Sequence, residues 1–182
     1  TNSDITIEDV RFDELRMIRH VFSKLGINPT LDGDKLHIAP DQPMKVVRDL
    51  HGSIARIDDA PWPAFPTDLM SIAITVATQC EGTILFFEKM FEGRMFFTDS
   101  LISMGASIIL CDPHRIVCVG PSQLYGTRLE SPDVRAGMAL VIASLAAKGE
   151  STIHNIRQID RGYERIDEKL RALGAKIERE AT

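Results

Sequence analysis

Cysteine, tyrosine and tryptophan are scarce in this chain of 182 residues, with three, two and one respectively. Cys80, Cys111 and Cys118 are odd in number and fall in helix- and strand-like runs. That fits reduced, buried thiols of a cytoplasmic protein better than a disulfide framework. Long apolar runs are also missing: none reaches the roughly 18 residues that span a bilayer. The polar opening Thr-Asn-Ser-Asp does not read as a signal peptide. Positive charge is in deficit, with a net charge of −5, which argues against broad nucleic-acid binding and leaves room only for a local basic pocket. Neither a membrane nor a nucleic acid is therefore an expected partner. Cys111, His114 and Cys118 have a spacing that could suit a metal. However, Asp112-Pro113 between two β-like runs reads as a hairpin turn and a fourth ligand is not evident, so no metal is expected.

What is present is the composition of a soluble globular domain, 44% hydrophobic and 26% charged, long enough to bury a real core. Self-similarity organises it. Three segments, 5–38, 84–119 and 153–177, share one grammar: a short strand, a loop, an amphipathic helix, then a glycine and another strand. Ile5, Ile84 and Ile153 each precede a helix-ending glycine (Gly26, Gly105, Gly174) by 21 residues. Glycine suits the left-handed residue that closes a helix. In the first copy a strand at 5–8 leads to a helix over 12–25 with Leu15, Ile18, Phe22 and Leu25 on one face. A hairpin follows, turning about Asp32-Gly33, and 46–57 crosses onward as an extended segment.

The second copy opens with a helix from Asp68 to about Gln79 that is apolar all round and so should be buried all round. A strand at 83–88, a loop at 89–95, a short helix ending near Met104 and a hairpin at 108–119 complete it. The third has a helix over about 133–148 rich in small apolar residues, a strand at 152–156, a loop at 159–163, and a last helix with Ile166, Leu170 and Leu173 on one face. Copies two and three carry a buried helix before their strand and copy one does not, so the first unit is expected to be incomplete and the chain to belong to a longer protein. The class is α/β: one domain over 1–182, of three units at about 1–59, 60–130 and 131–182, with helices inside and mixed sheets outside.

Residues 60–68, Ala-Pro-Trp-Pro-Ala-Phe-Pro-Thr-Asp, stand out within this plan. They hold three of the nine prolines and the only tryptophan, and proline biases such a run towards a stiff, extended form. The run ends on Asp68 at the start of the buried helix, where an aspartate either caps the helix or is delivered to a ligand. Asp133 opens the corresponding helix of the third copy. Arginines follow in the loops after the next strands (Arg94 and Arg161), and Arg135 lies two residues beyond Asp133. Arginine binds carboxylate or phosphate bidentately. Brought to one end of the domain, these three would make an anion site on an acidic protein; taken singly, each reads as a solvated loop arginine.

The segments Ala64-Phe65-Pro66-Thr67-Asp68, Phe91-Glu92-Gly93-Arg94, Asp133-Val134-Arg135-Ala136 and 159–166 (Ile-Asp-Arg-Gly-Tyr-Glu-Arg-Ile), with Lys169-Leu170-Arg171-Ala172-Leu173-Gly174-Ala175, resemble the C-terminal part of the UDP-N-acetylglucosamine enolpyruvyl transferases. The resemblance covers essentially the whole chain. It implies an inside-out, barrel-like α/β domain of three βαβαββ units that closes with an N-terminal domain on UDP-N-acetylglucosamine and phosphoenolpyruvate, without a cofactor. The reaction would be enolpyruvyl transfer to the sugar 3-hydroxyl, the first committed step of peptidoglycan synthesis. Asp68 would lie beside that hydroxyl, with Met90 and Phe91 at the nucleotide sugar. Arg161 would grip phosphoenolpyruvate, and Arg94, Asp133 and Arg135 would complete the site. Val134 and Gly93 depart from the usual leucine and asparagine. The family's lysine–asparagine pair and its general acid have no counterpart here. A related synthase acting on shikimate 3-phosphate and a non-catalytic binding module of the same fold are the alternatives.

Overall fold

The computed structural model describes residue 1 and residues 3–180. The order of elements is β1 (Ile5–Ile7), α1 (Arg16–Lys24), β2 (Thr30–Asp32), β3 (Lys35–Ile38), β4 (Ala55–Asp58), α2 (Met70–Ala77), β5 (Gly82–Phe87) and α3 (Thr98–Ser103). There follow β6 (Ser107–Asp112), β7 (Arg115–Gly120), β8 (Arg128–Glu130), α4 (Val134–Ala146), β9 (Thr152–His154), α5 (Arg157–Asp160) and α6 (Ile166–Ala172).

The strands form three sheets, none closed into a barrel among the described residues. An antiparallel sheet has the order β1-β3-β2, a mixed one β4-β5-β7-β6, and a parallel pair β8-β9. The mixed sheet joins β4 parallel to β5, and β5 antiparallel to β7. The short strands β4 and β8 each pair in parallel with the strand that follows the next helix, so α2 and α4 are crossover helices.

Those two helices explain where the core sits. Residues Met70, Ser71, Ala73, Ile74, Thr75 and Ala77 of α2 are buried, as are seven residues of α4. A helix without a polar face must be covered on every side, and here α2 and α4 pack on each other. The inward residues of the mixed sheet (Ile57, Ile84, Phe86, Ile116, Cys118) and Leu101 and Met104 close over them. Removing one such side chain from water stabilises the fold by about 1.5–3 kcal/mol. Two hydroxyls between these helices are paired: the Ser71 hydroxyl donates to the Arg135 carbonyl at 3.1 Å, and Thr75 donates to the Ser71 carbonyl at 3.1 Å. A smaller cluster of Met138, Val141 and Ile159 with Ile166 and Leu170 fastens α5 and α6 to α4.

The glycines that mark the sequence repeat end helices in one way. Gly26, Gly105 and Gly174 have φ of +74°, +107° and +94°. The residue after each donates to the carbonyl five residues back: Ile27 to Phe22, Ala106 to Leu101 and Ala175 to Leu170, at 3.0, 2.9 and 3.0 Å. This is the Schellman closure, which requires the left-handed residue that glycine supplies.

Four local expectations are corrected. The first hairpin turns on Gly33-Asp34, because Asp32 already pairs with Lys35. Residues 60–68 are folded rather than extended: Ala64 donates to the Pro61 carbonyl and Ala60 to the Phe65 carbonyl, the Trp62–Pro63 bond is cis, and Phe65 is buried while Trp62 is exposed. Proline stiffness here serves a tight turn that tucks one ring inwards. Residues Ile159 and Asp160 belong to the helical turn α5, with Arg161 as its C-cap, so this stretch is not wholly loop. The first helix begins as a 3-10 turn, Phe12–Leu15, and of the expected face Leu15, Ile18, Phe22 and Leu25 only Leu25 is fully buried, with Val21 buried outside that face. No helix among the described residues is long and apolar enough to cross a membrane.

Candidate functional site

The site lies where α2 and α4 begin side by side. Asp68 is the middle residue of the 3-10 turn Thr67–Leu69 that leads into α2, and its side chain caps nothing. It is 59% exposed and pairs with the Arg135 guanidinium across the two helix starts, while Arg94 stands 3.9 Å away. The hydrogen bond to Asp68 is the first cause that raises the pKa of Arg135, with desolvation opposing it. Asp133, at the corresponding place on α4, behaves otherwise. It is the N-cap, and its Oδ1 accepts from the amides of Arg135 at 2.7 Å and Ala136 at 3.0 Å. Of two aspartates at equivalent sequence positions, one is committed to its helix and the other is presented outwards.

Arg94 is reached from the opposite side, after β5. Gly93 before it is left-handed, with φ +78°, which turns the chain so that the guanidinium lies 3.8 Å from the centre of the Phe91 ring. Its Nη1 donates to the Thr67 hydroxyl at 3.0 Å. Met90 and Phe91 are 40% and 45% exposed at the rim. Thr67, Glu88, Arg94, Asp133 and Arg135 line a cleft over Met70 and Ile74 whose enclosed part is about 20 Å³, room for one water. A larger ligand would therefore rest on the open surface around it. Arg161 is not in this cluster; it is exposed and donates to Gln158 at 3.2 Å. The structure thus brings Asp68, Arg94, Asp133 and Arg135 together with Met90 and Phe91 at their edge, and the side-chain bond given for Arg161 goes to Gln158 rather than to any of them.

Sequence reasoning missed two residues beneath this surface. Glu88, 1% exposed, accepts from the Thr67 hydroxyl at 2.7 Å and from the amides of Met90 and Phe91 at 3.0 and 3.1 Å. Asp59, fully buried, accepts from the Lys89 amide at 2.6 Å. Burial first, then the hydrogen bond with Asp59, pushes Glu88 up to about 7. The signal was available: Glu88 directly follows the apolar run Ile84-Leu85-Phe86-Phe87, and Asp59 directly follows β4, its parallel neighbour. Cys111 is exposed and Cys118 buried, and His114 spends Nδ1 on the Glu88 carbonyl at 2.8 Å. No group of three His, Cys, Asp or Glu side chains among the described residues is placed to hold a metal.

Comparison with known proteins bears on the family and the fold. The profile of the EPSP synthase (3-phosphoshikimate 1-carboxyvinyltransferase) family matches residues 1–170. A UDP-N-acetylglucosamine 1-carboxyvinyltransferase of Bradyrhizobium diazoefficiens is 56% identical over 179 residues, 98% of this chain and 42% of the relative. One from Treponema denticola is 56% identical over 178 residues, again 98% and 42%. Among solved structures, an enolpyruvyl transferase from Streptomyces tendae superposes with a TM-score of 0.82 at 23% identity, covering 97% of this chain and 40% of that one. An EPSP synthase from Acinetobacter baumannii gives 0.60 at 15% identity, covering 89% and 36%. The chain spans about 42% of the length of the curated relatives it matches. The α/β architecture is therefore that of the enolpyruvyl transferases, and the chain belongs to the EPSP synthase family.

Proposed function

We propose that this chain forms most of one domain of an enzyme that transfers the enolpyruvyl group of phosphoenolpyruvate to the 3-hydroxyl of UDP-N-acetylglucosamine, releasing phosphate. The observation that carries the reading is the exposed Asp68 carboxylate set between Arg94 and Arg135 at the paired starts of α2 and α4. The relatives at 56% identity bear the name of that activity. Three units of about 1–59, 60–130 and 131–182 make up the domain, and a second domain closes over the shallow cleft. The role places the protein in the cytoplasm, at the first committed step of peptidoglycan synthesis.

The chemistry joins the sugar oxygen to C2 of phosphoenolpyruvate, adds a proton at C3, and then expels phosphate as that C3 side loses a proton to form the new double bond. Asp68 accepts a hydrogen bond from the 3-hydroxyl, aligning its lone pair on C2 and drawing off its proton as the bond forms. Arg94 and Arg135 hold anionic oxygens and stabilise charge moving onto the departing phosphate. Met90 offers its backbone and Phe91 its ring to the nucleotide sugar. Arg161 is assigned to phosphoenolpyruvate on closure, when it must leave Gln158. The general acid comes from the other domain.

The test is phosphate release by the complete protein with phosphoenolpyruvate and either UDP-N-acetylglucosamine or shikimate 3-phosphate. Turnover with the first acceptor alone, reduced about 100-fold or more by Asp68→Asn, is the expected result. Release only with shikimate 3-phosphate would assign the related synthase, and release with neither a binding module.

A further inference from the structure

Beneath the exposed arginines lies a buried carboxyl pair that the reaction does not use directly. The two oxygens of Glu88 take three donors from two segments far apart in sequence. Oε2 accepts from Thr67, at the entry to α2, and Oε1 accepts from the amides of Met90 and Phe91. Thr67 in turn accepts from Arg94 through the same hydroxyl. The side chain of Glu88 therefore ties the entry of α2 to residues 89–93 and, through Thr67, to the guanidinium that stacks on Phe91.

We propose that Glu88 is a positioning residue: its carboxyl clamps residues 89–93 against the entry of α2 and so sets where Arg94 presents its guanidinium beside Asp68. Asp59 completes the device. Its Oδ1 takes the Lys89 amide, whereas its buried Oδ2 has no amide or hydroxyl donor among the described residues. The two carboxyls are near enough for Asp59 to raise the pKa of Glu88, and two carboxyls share a hydrogen bond only when one is protonated. A protonated carboxyl donates once and still accepts at its oxygens, so Glu88 can keep its three donors and satisfy Asp59 together. When that proton leaves, a second charge is buried beside Asp59, while the bonds from Thr67 and Met90 favour the charged carboxylate and keep the clamp closed.

The other charged groups around Glu88 leave this assignment standing. His114 faces the Glu88 backbone carbonyl rather than its carboxyl. The Lys89 ammonium is turned away onto Asp58 at 2.6 Å. Arg94 reaches Glu88 only through Thr67, and Asp133 and Arg135 lie across the cleft, bound to the α4 amides and to Asp68.

The role of Arg94 in turnover rests on the enolpyruvyl-transfer reading, but the clamp itself has a readout that does not. In the complete protein, amide hydrogen exchange of Met90 and Phe91 is measured at pH 6 and pH 8 for wild type, Glu88→Ala, Glu88→Gln and Thr67→Val, alongside kcat and KM. Wild type should protect both amides at pH 6 and at pH 8, because Glu88 accepts from them in either protonation state. Glu88→Gln, neutral and still an acceptor, should keep protection at both pH values. Glu88→Ala should lose it at both. Thr67→Val removes the hydroxyl that links Glu88 to the entry of α2 and to Arg94, so it should lower kcat/KM about tenfold while the two amides, held by Oε1 alone, stay protected. Full protection in Glu88→Ala, or a glutamine variant indistinguishable from alanine, would overturn the clamp. An inactive wild type with the exchange pattern intact would sink the transfer reading and leave the clamp in place.

Discussion

Asp68 and Asp133 hold equivalent places in two sequence units, yet their substitutions should have opposite signatures. Asp133 accepts two amide hydrogen bonds at the start of α4, at 2.7 and 3.0 Å, and loss of an N-cap costs about 1–2 kcal/mol. For a domain of this size that lowers the melting temperature by about 3–6 °C. Asp133→Asn should recover most of this, because asparagine caps as well as aspartate. The Asp68 side chain is 59% exposed and its partner Arg135 is 35% exposed, so its ion pair is worth about 0–1 kcal/mol. Asp68→Asn should leave the melting temperature within about 2 °C of wild type, while turnover falls by about 100-fold or more. Thermal unfolding followed by far-UV circular dichroism, with phosphate release measured in parallel on the complete protein, separates the two. If Asp68→Asn destabilises as much as Asp133→Ala, or if Asp133→Ala melts like wild type, the division between a capping and a presented aspartate is wrong.

Gly137→Ala should destabilise the protein although alanine is the better helix former by about 1 kcal/mol. A Cβ there would stand 2.1 Å from Ser131 Oγ and 2.6 Å from Ile159 Cγ1, and overpacking of this kind costs about 1–3 kcal/mol; a urea midpoint above that of wild type would show that α5 is not held so tightly against α4. A second expectation concerns pH. Because Glu88 is raised from 4.5 to about 7, the folded protein holds its proton more tightly than the unfolded chain does, so its contribution is full below about pH 4.5 and lost as pH rises through 7. The difference in stability between wild type and Glu88→Gln should therefore move against wild type by about 1–3 kcal/mol across that window; parallel stability curves for the two proteins would refute it.

How much of this was legible in the residues depends on whether a pattern is local. The equal spacing of Gly26, Gly105 and Gly174 could be read directly, because a helix end is closed by donors and acceptors within five or six residues. The buried character of α2 and α4 could be read from their lack of a polar face. The turn at Gly33-Asp34 was misplaced by one residue, since strand register depends on the partner strand as much as on the turn pair. The fold of residues 60–68 was missed because their conformation follows from burying Phe65, a long-range event that no proline count contains.

The site shows the same divide. Residue types and order alone marked Asp68, Arg94, Asp133, Arg135 and Arg161 as the candidates, and marked Met90 and Phe91 through resemblance. What they could not supply was the split in role between the two aspartates, the pairing of Arg161 with Gln158, or the carboxyl pair underneath. Capping, ion pairing and proton sharing depend on which groups meet across elements, here Asp68 with Arg135 over 67 residues of sequence and Glu88 with Thr67 over 21. The sequence by itself determined the repeats, the buried helices and the family. The packing of α2 on α4, and of β4 beside β5, decided which carboxylate faces outwards and which two are buried together, because burial and proximity are set only when those elements meet.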